Sequence, residues 1–346
     1  MLKDGICHAQ GETYNKMIAF EDINYQLANE EDQNTIFEKY CEFLNYFDAA
    51  ISVQLVFINK YGNPIDYETS IRITGRNDGY DDIRAEYENM LKTQLTKGNN
   101  GIIKQKYVVF GIELSKSSKF SEAKTRLERI QNDILNNFKK LGVIAYPLTG
   151  EERLEVLHGQ LHPNGREKFH MYWDAVTKEG MSTKDFIAPS SFDFGSYKSL
   201  RMGDSYAAAS FLSITAPSLT DQVLADYLNL DMPVMISIHI NAIDQQEAIK
   251  TVKRKLTSIN AEKIDAQKKA NRDGYDMDIM SPDLATNAKE TEEFLNELQS
   301  SNERMFNLLF TVLNIAPNKQ ALDDIVFTSS GIAQKRNCAL KRLDYQ

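Results

Sequence analysis

Not one of the 17 glycines in this chain is followed by lysine. That excludes the P-loop G-x-x-x-x-G-K-[ST], whose glycines let backbone N–H groups cradle phosphates while the lysine reaches the terminal ones. G-x-G-x-x-G, G-x-S-x-G, H-E-x-x-H and C-x-x-C are missing as well, which removes the usual sites for dinucleotides, serine hydrolysis, zinc peptidases and thiol redox exchange. Cysteine is scarce. Cys7, Cys41 and Cys338 are odd in number and unrelated in spacing, which argues against a disulfide framework and for a reducing compartment. The most apolar window, Met305–Ala316, is short, whereas a membrane span needs roughly 18 residues or more. Lys3, Asp4 and His8 interrupt any signal-peptide hydrophobic region. A positive excess is lacking too. The formal net charge is -9, which weakens generic DNA binding, because neutralising phosphates needs clustered cations. Together these absences predict a cytoplasmic chain that is not itself an enzyme and holds no cofactor.

What is present suits a globular protein. Hydrophobic residues make up 42% and charged residues 26% of 346, enough for a sizeable core in two domains or one large one. Charge is uneven along the chain. Residues 1–50 hold Asp4, Glu12, Glu21, Asp22, Glu30, Glu31, Asp32, Glu38, Glu42 and Asp48 against only Lys3, Lys16 and Lys39. Residues 241–275 reverse the balance with Lys250, Lys253, Arg254, Lys255, Lys263, Lys268, Lys269 and Arg272. Such a run is commonly the solvated face of a helix.

The strongest pattern lies over 244–303. Ile249, Val252, Leu256 and Ile259 recur three and four apart, as do Leu284, Ala288, Thr291, Leu295 and Leu298. An acidic turn containing Gly274 and Pro282 separates the two runs. Two helices with narrow apolar seams predict an antiparallel hairpin arm, which buries little core and suits a protein that holds partners. Lys250, Lys253, Arg254, Lys268 and Lys269 are its candidate interaction residues, with Lys250, Arg254 and Lys268 expected to point outward. Lys263 falls on the extended seam, so either its stem packs there or the seam slips to Ile264.

The rest reads as nearly the same order of elements twice. In the first half, strands are predicted at Met17–Leu27, Ala50–Asn59, Ser70–Thr74, Ile102–Leu114 and Val143–Tyr146. Helices are predicted at Thr35–Phe47, Asp81–Leu95 and Ser121–Leu141. The last carries Leu127, Ile130, Ile134, Phe138 and Leu141 on one face and stops at Gly142. In the second half, strands are predicted at Tyr206–Ile214, Val234–Ile240, Phe306–Leu313 and Ala339–Tyr345. Helices are predicted at Thr220–Leu228 and Lys319–Lys335, with the arm between. The expected fold is α+β: a first lobe over 1–150, a connector with a short hairpin at Phe192–Leu200 over 151–203, and a second lobe with the arm over 204–346. With the neighbouring strands at 50–59 and 70–74 counted as one and the helical hairpin counted as one element, each lobe runs β-α-β-α-β-α-β, compatible with a ferredoxin-like or split β-α-β arrangement, by duplication or by convergence.

One constellation could carry chemistry. Glu155, His158 and His162 are three and four apart, so on a helix they share a face, and His170 is near in sequence. Imidazoles and a carboxylate can hold a transition metal. Pro163 and Gly165 end any helix there and no second acidic cluster completes a shell, so ordinary hydrogen-bonded histidines are the preferred reading and no metal is expected. The acids Asp273, Asp276, Asp278 and Asp283 lack the spacing of a calcium loop and read as a hairpin tip. Ser190 and Ser191 read as a turn, and Trp173 with Tyr172 and Phe169 as a core or interface anchor.

Several stretches, taken in order, carry a resemblance: KDGICHAQGETYNKMIAFEDINYQLA, KGNNGIIKQKYVVFGIE, KDFIAPSSFDFG followed by RMGD, IKTVKRKL, RDGYDMDI, SSNERMFNLLFTVLN and GIAQKRNCALKRLDYQ. They resemble the conjugal-transfer ATPases of type IV secretion systems, the VirB/TrbE/CagE group (TraE-like), in the branch found in Gram-positive conjugative elements. In that family the RecA-like motor lies beyond the position of Gln346, so the resemblance implies that this is the N-terminal, non-motor region. It implies a structural and docking role that links the motor to the inner-membrane complex. The implied partners are small inner-membrane subunits, the chain's own ATPase domain and neighbouring protomers, with the protein peripheral to the inner face of the cell membrane. Two other classes stay open: a nucleic-acid-binding module using the basic helix over 244–272, and a metal-dependent enzyme at Glu155, His158 and His162. The helix offers no aromatic interleaving for base stacking.

Overall fold

The computed structural model describes the chain apart from residues 24, 26–27, 62–78, 98–101, 116–118, 166, 217–218, 221, 273–281, 301–302 and 345–346. The strand expected at Ser70–Thr74, nearly all of RDGYDMDI and the acids Asp273, Asp276 and Asp278 lie outside the described residues.

Among those residues the protein is α+β, with one sheet of 11 strands. The strands are β1 Cys7–His8, β2 Thr13–Phe20, β3 Ser52–Tyr61, β4 Ile102–Glu113, β5 Ala145–Pro147, β6 Phe192–Ser196, β7 Ser199–Met202, β8 Ser205–Ile214, β9 Val234–Ala242, β10 Phe306–Ala316 and β11 Cys338–Arg342. The helices are α1 Glu30–Asn45, α2 Asp81–Lys97, α3 Phe120–Leu141, α4 Gly150–Leu161, α5 Trp173–Lys178, α6 Gln222–Leu228, α7 Gln245–Arg272, α8 Pro282–Ser300 and α9 Lys319–Lys335. No described helix is long and apolar enough to cross a membrane.

The strand order is β1-β2-β4-β3-β9-β10-β8-β7-β6, with β5 also beside β2 and β11 also beside β8. β2 pairs antiparallel with β4 and with β5, and β8 pairs antiparallel with β10 and with β11. The order β5-β2-β4-β3 of the first half therefore recurs as β11-β8-β10-β9 in the second. The strands expected for two lobes lie in one sheet, with β3 beside β9. The hairpin expected in the connector is present as β6 and β7, which pair antiparallel.

Two compact units make up the chain. Met1–Ile23, Gln54–His239 and Leu309–Gln346 form the first, and Asn24–Val53 with Ile240–Leu308 the second. These bounds differ from a division at 150 and 203, because α1, from the first half of the sequence, clusters with α7 and α8.

In the first unit, α3 buries Ala123, Leu127, Ile130, Ile134 and Phe138, the stripe its periodicity predicts. Gly142 ends it in the left-handed region at φ 78°, its N–H returning to the helix carbonyls of Phe138 and Lys139. β2 turns opposite faces to two sets of neighbours. Met17 and Ala19 join Val56, Ile58, Tyr107 and Leu148, while Phe20 stacks on Phe138 at 5.2 Å between ring centroids. The strand begins at Thr13 and includes the buried Lys16, so apolar patterning places its start too late. α1 likewise begins earlier than the apolar onset suggests. Asn29 caps it, accepting from the N–H of Asp32 at 2.9 Å, and Glu30, Glu31 and Asp32 fill the first turn, where negative charge is favoured.

Around β8, α9 is held by polar ties. The buried Tyr227 donates its hydroxyl to the Ser329 carbonyl at 2.8 Å, and Asn314 donates to the Ser329 hydroxyl at 3.0 Å. Burial pushes the Tyr227 phenol pKa upward, so it stays a donor at any physiological pH. Tyr227→Phe is expected to destabilise by about 1 kcal/mol, read as a lower urea midpoint with an unchanged slope.

Candidate functional site

The second unit carries the arm. α7 has 28 residues and α8 has 19, so α7 reaches about 42 Å at 1.5 Å per residue. Asp244 caps α7 by accepting from the N–H groups of Gln246 and Glu247. Gln245 donates its side-chain N–H to the Leu298 carbonyl near the end of α8, which fixes the base of the hairpin. Ala248, Val252 and Leu298 form the buried seam, flanked by Ile249, Phe294, Leu295 and Met305. Ile259 is buried and Leu256 half-buried farther along. Lys263 is half-buried whereas Ile264 is 50% exposed. The lysine stem therefore packs on the seam and the register does not slip. Arg304 donates to the Asn45 carbonyl at 2.7 Å, tying the end of α1 to the chain after α8.

Lys250, Lys253, Arg254, Lys268 and Lys269 are all exposed, the orientation that the seam predicts. Lys268 lies 3.9 Å from Asp265 on the same helix. Lys250, Lys253 and Arg254 have no ion-pair partner among the described residues. With Gln246, Ile249 and Thr257 they line a shallow open depression along α7. One turn of the arm thus offers three unpaired cations around a partly apolar floor. α7 contains no aromatic residue.

A second cluster sits in the first unit, where α4 ends. Thr149 caps α4 in a reciprocal capping box with Glu152, a Thr-x-x-Glu spacing that could have revealed this helix within the segment expected to be a connector. Inside α4, the buried Arg153 donates to the carbonyls of Gly5 (2.6 Å) and Asn15 (3.0 Å) and to the Asn15 side chain (2.7 Å). Burial pushes its pKa down to about 10, so it remains charged at neutral pH. At the C-terminal end, His158 and His162 stack with ring centroids 3.9 Å apart and planes 17° from parallel. Phe169 packs on His158 at 5.5 Å.

The carboxylate that joins the two imidazoles is Glu167, not Glu155. His158, His162 and Glu167 bring one donor atom each within 4.8 Å of one another. α4 stops at Leu161 and His162 is its C-cap, at φ -124° and ψ 61°, so the chain turns at Pro163–Gly165 and Glu167 comes within 3.2 Å of the His162 ring. Glu155 is exposed and lies close enough to Tyr107 to contribute to raising its phenol pKa, after burial and Tyr146. His170 is exposed and acts on His158 only as one of several charges.

His162 has both ring nitrogens engaged. Nδ1 lies 3.0 Å from the His158 carbonyl and Nε2 lies 3.2 Å from Glu167 Oε2. A carbonyl only accepts, so Nδ1 carries the proton. Ser190 lines the small crevice beside His162, but no hydrogen bond joins its hydroxyl to an imidazole among the described residues, so the pairing that activates a serine nucleophile is not formed here. Trp173 is half-buried, with Lys3 over its ring at 5.7 Å.

Comparison with protein-family models and with curated proteins finds no match to this chain.

Proposed function

We propose that this chain is a structural and docking domain, and that the exposed basic face of α7 is the surface by which it holds a protein partner. The observation that carries this is the row Lys250, Lys253 and Arg254, unpaired among the described residues and bordering Ile249. Charge supplies steering and register at such a surface, and the apolar floor supplies burial. The sequence resemblance gives the partner its identity: the inner-membrane subunits of a type IV secretion system and neighbouring protomers, with the motor on a separate ATPase domain. The recurring strand order supports the finer view of the fold as two ferredoxin-like lobes sharing one sheet, each helical insertion lying between their second and third strands. Co-purification of the chain with those subunits from cells expressing both tests the docking role, and failure of the pair to associate would remove it.

A nucleic-acid module is the weaker alternative, since the net charge is -9 and α7 has nothing on which a base can stack. An ATPase activity is not expected either. Mg-ATP should leave the melting temperature unchanged, whereas a bound nucleotide at a hundred times its dissociation constant would add about 2.7 kcal/mol. A clear upward shift would overturn the non-motor view.

A further inference from the structure

We infer that His158, His162 and Glu167 form a site for one divalent transition metal of the zinc type. Three features of the cluster lead there. First, the proton on His162 Nδ1 is fixed by the His158 carbonyl at 3.0 Å, which leaves Nε2 to present its lone pair toward the Glu167 carboxylate at 3.2 Å. Two electron-rich atoms facing each other need a positive centre between them. This is also the arrangement by which a backbone carbonyl orients a metal-binding imidazole. Second, a single proton on Nε2 would serve His162 and Glu167 but would do nothing for His158. That ring is 7% exposed, and its nitrogens find no hydrogen-bond partner among the described residues. A metal ion would engage all three groups at once, their donor atoms lying within 4.8 Å of one another, whereas a proton would engage only two. Third, a crevice of about 40 Å³ lined by His162, Asn164, Glu167, Ser190, Gly203 and Asp204 adjoins the cluster. It has room for one water as the remaining ligand.

The donor set selects the ion. Two imidazoles and one carboxylate suit zinc and its neighbours, at about 2.0–2.2 Å per bond, and do not suit calcium or magnesium, which favour shells of oxygen. Glu167 is 61% exposed, so its side chain can swing to close the shell without disturbing the core. Bound there, the ion would clamp the end of α4 to the chain beyond the turn at Pro163–Gly165. The site is independent of the docking face on α7, and either can fail without the other.

The test uses the full chain without an affinity tag, dialysed against EDTA and titrated with zinc sulphate by calorimetry and by melting. One zinc per chain with a rise in melting temperature is expected, and neither calcium nor magnesium chloride should reproduce it. Glu167→Gln alters a largely exposed side chain and should fold normally while binding zinc at least tenfold more weakly. His162→Asn should abolish stoichiometric binding. Because that variant disturbs a buried position, a cobalt-loaded parent chain provides a second measurement, expected to show visible d–d bands without a thiolate charge-transfer band. Absence of stoichiometric zinc from the parent, thiolate ligation, or unchanged affinity in Glu167→Gln would each overturn the inference.

Discussion

Gly5→Ala is expected to destabilise the protein by about 3 kcal/mol or more. Gly5 sits at φ 79°, and a Cβ there would fall 2.1 Å from the Leu148 carbonyl oxygen. The obstacle is main chain, so relief requires the backbone itself to move. That backbone is pinned: the Gly5 carbonyl accepts from the buried Arg153 at 2.6 Å, and the Gly150 N–H returns to the Lys3 carbonyl. Gly11→Ala separates strain from collision. Gly11 also has positive φ, 65°, but nothing lies within 4 Å of the place its added methyl would occupy, so only the left-handed backbone penalty of about 1–2 kcal/mol applies. Urea unfolding of both variants should give a clearly lower midpoint for Gly5→Ala. Equal midpoints would show that the N-terminal segment yields at little cost.

The elements legible in the sequence are those with one buried face and a clear stop. α3 is an example, since Leu127, Ile130, Ile134 and Phe138 fall on a single stripe and Gly142 ends it. The arm is another, because each seam is a periodic apolar row on an otherwise polar helix. α4 is harder to see. Its buried positions include Arg153 and His158, which do not register as core residues, and only the Thr149–Glu152 box marks its start. Lys16 hides the beginning of β2 in the same way. The single sheet is not legible at all, because the neighbouring of β3 and β9 is a long-range choice between strand edges that local periodicity does not encode.

The candidate sites divide along the same line. Exposure of Lys250, Lys253 and Arg254 follows directly from the seam of α7, since residues off a narrow stripe face water. Glu167 does not follow from spacing. Helical geometry proposes Glu155, three residues before His158, and only the break of the helix at His162 brings a carboxylate from beyond the turn to the imidazoles instead.

If the basic face of α7 holds a protein surface, reversing its charge should release that partner while leaving the fold intact. The triple variant Lys250→Glu, Arg254→Glu and Lys268→Glu changes exposed side chains off the seam, so its unfolding midpoint should match the parent within the small contribution of surface ion pairs, about 0–1 kcal/mol each. Like charges would then face an acidic partner, and affinity for the inner-membrane subunits is expected to fall by roughly a hundredfold. The measurement is titration of parent and variant against the purified subunits, with duplex and single-stranded DNA titrated in parallel at two salt concentrations. Docking through α7 requires loss of subunit binding in the folded variant and no salt-dependent DNA affinity in the parent. Undiminished subunit binding, or tight parental DNA binding that weakens steeply with salt and vanishes in the variant, would refute it.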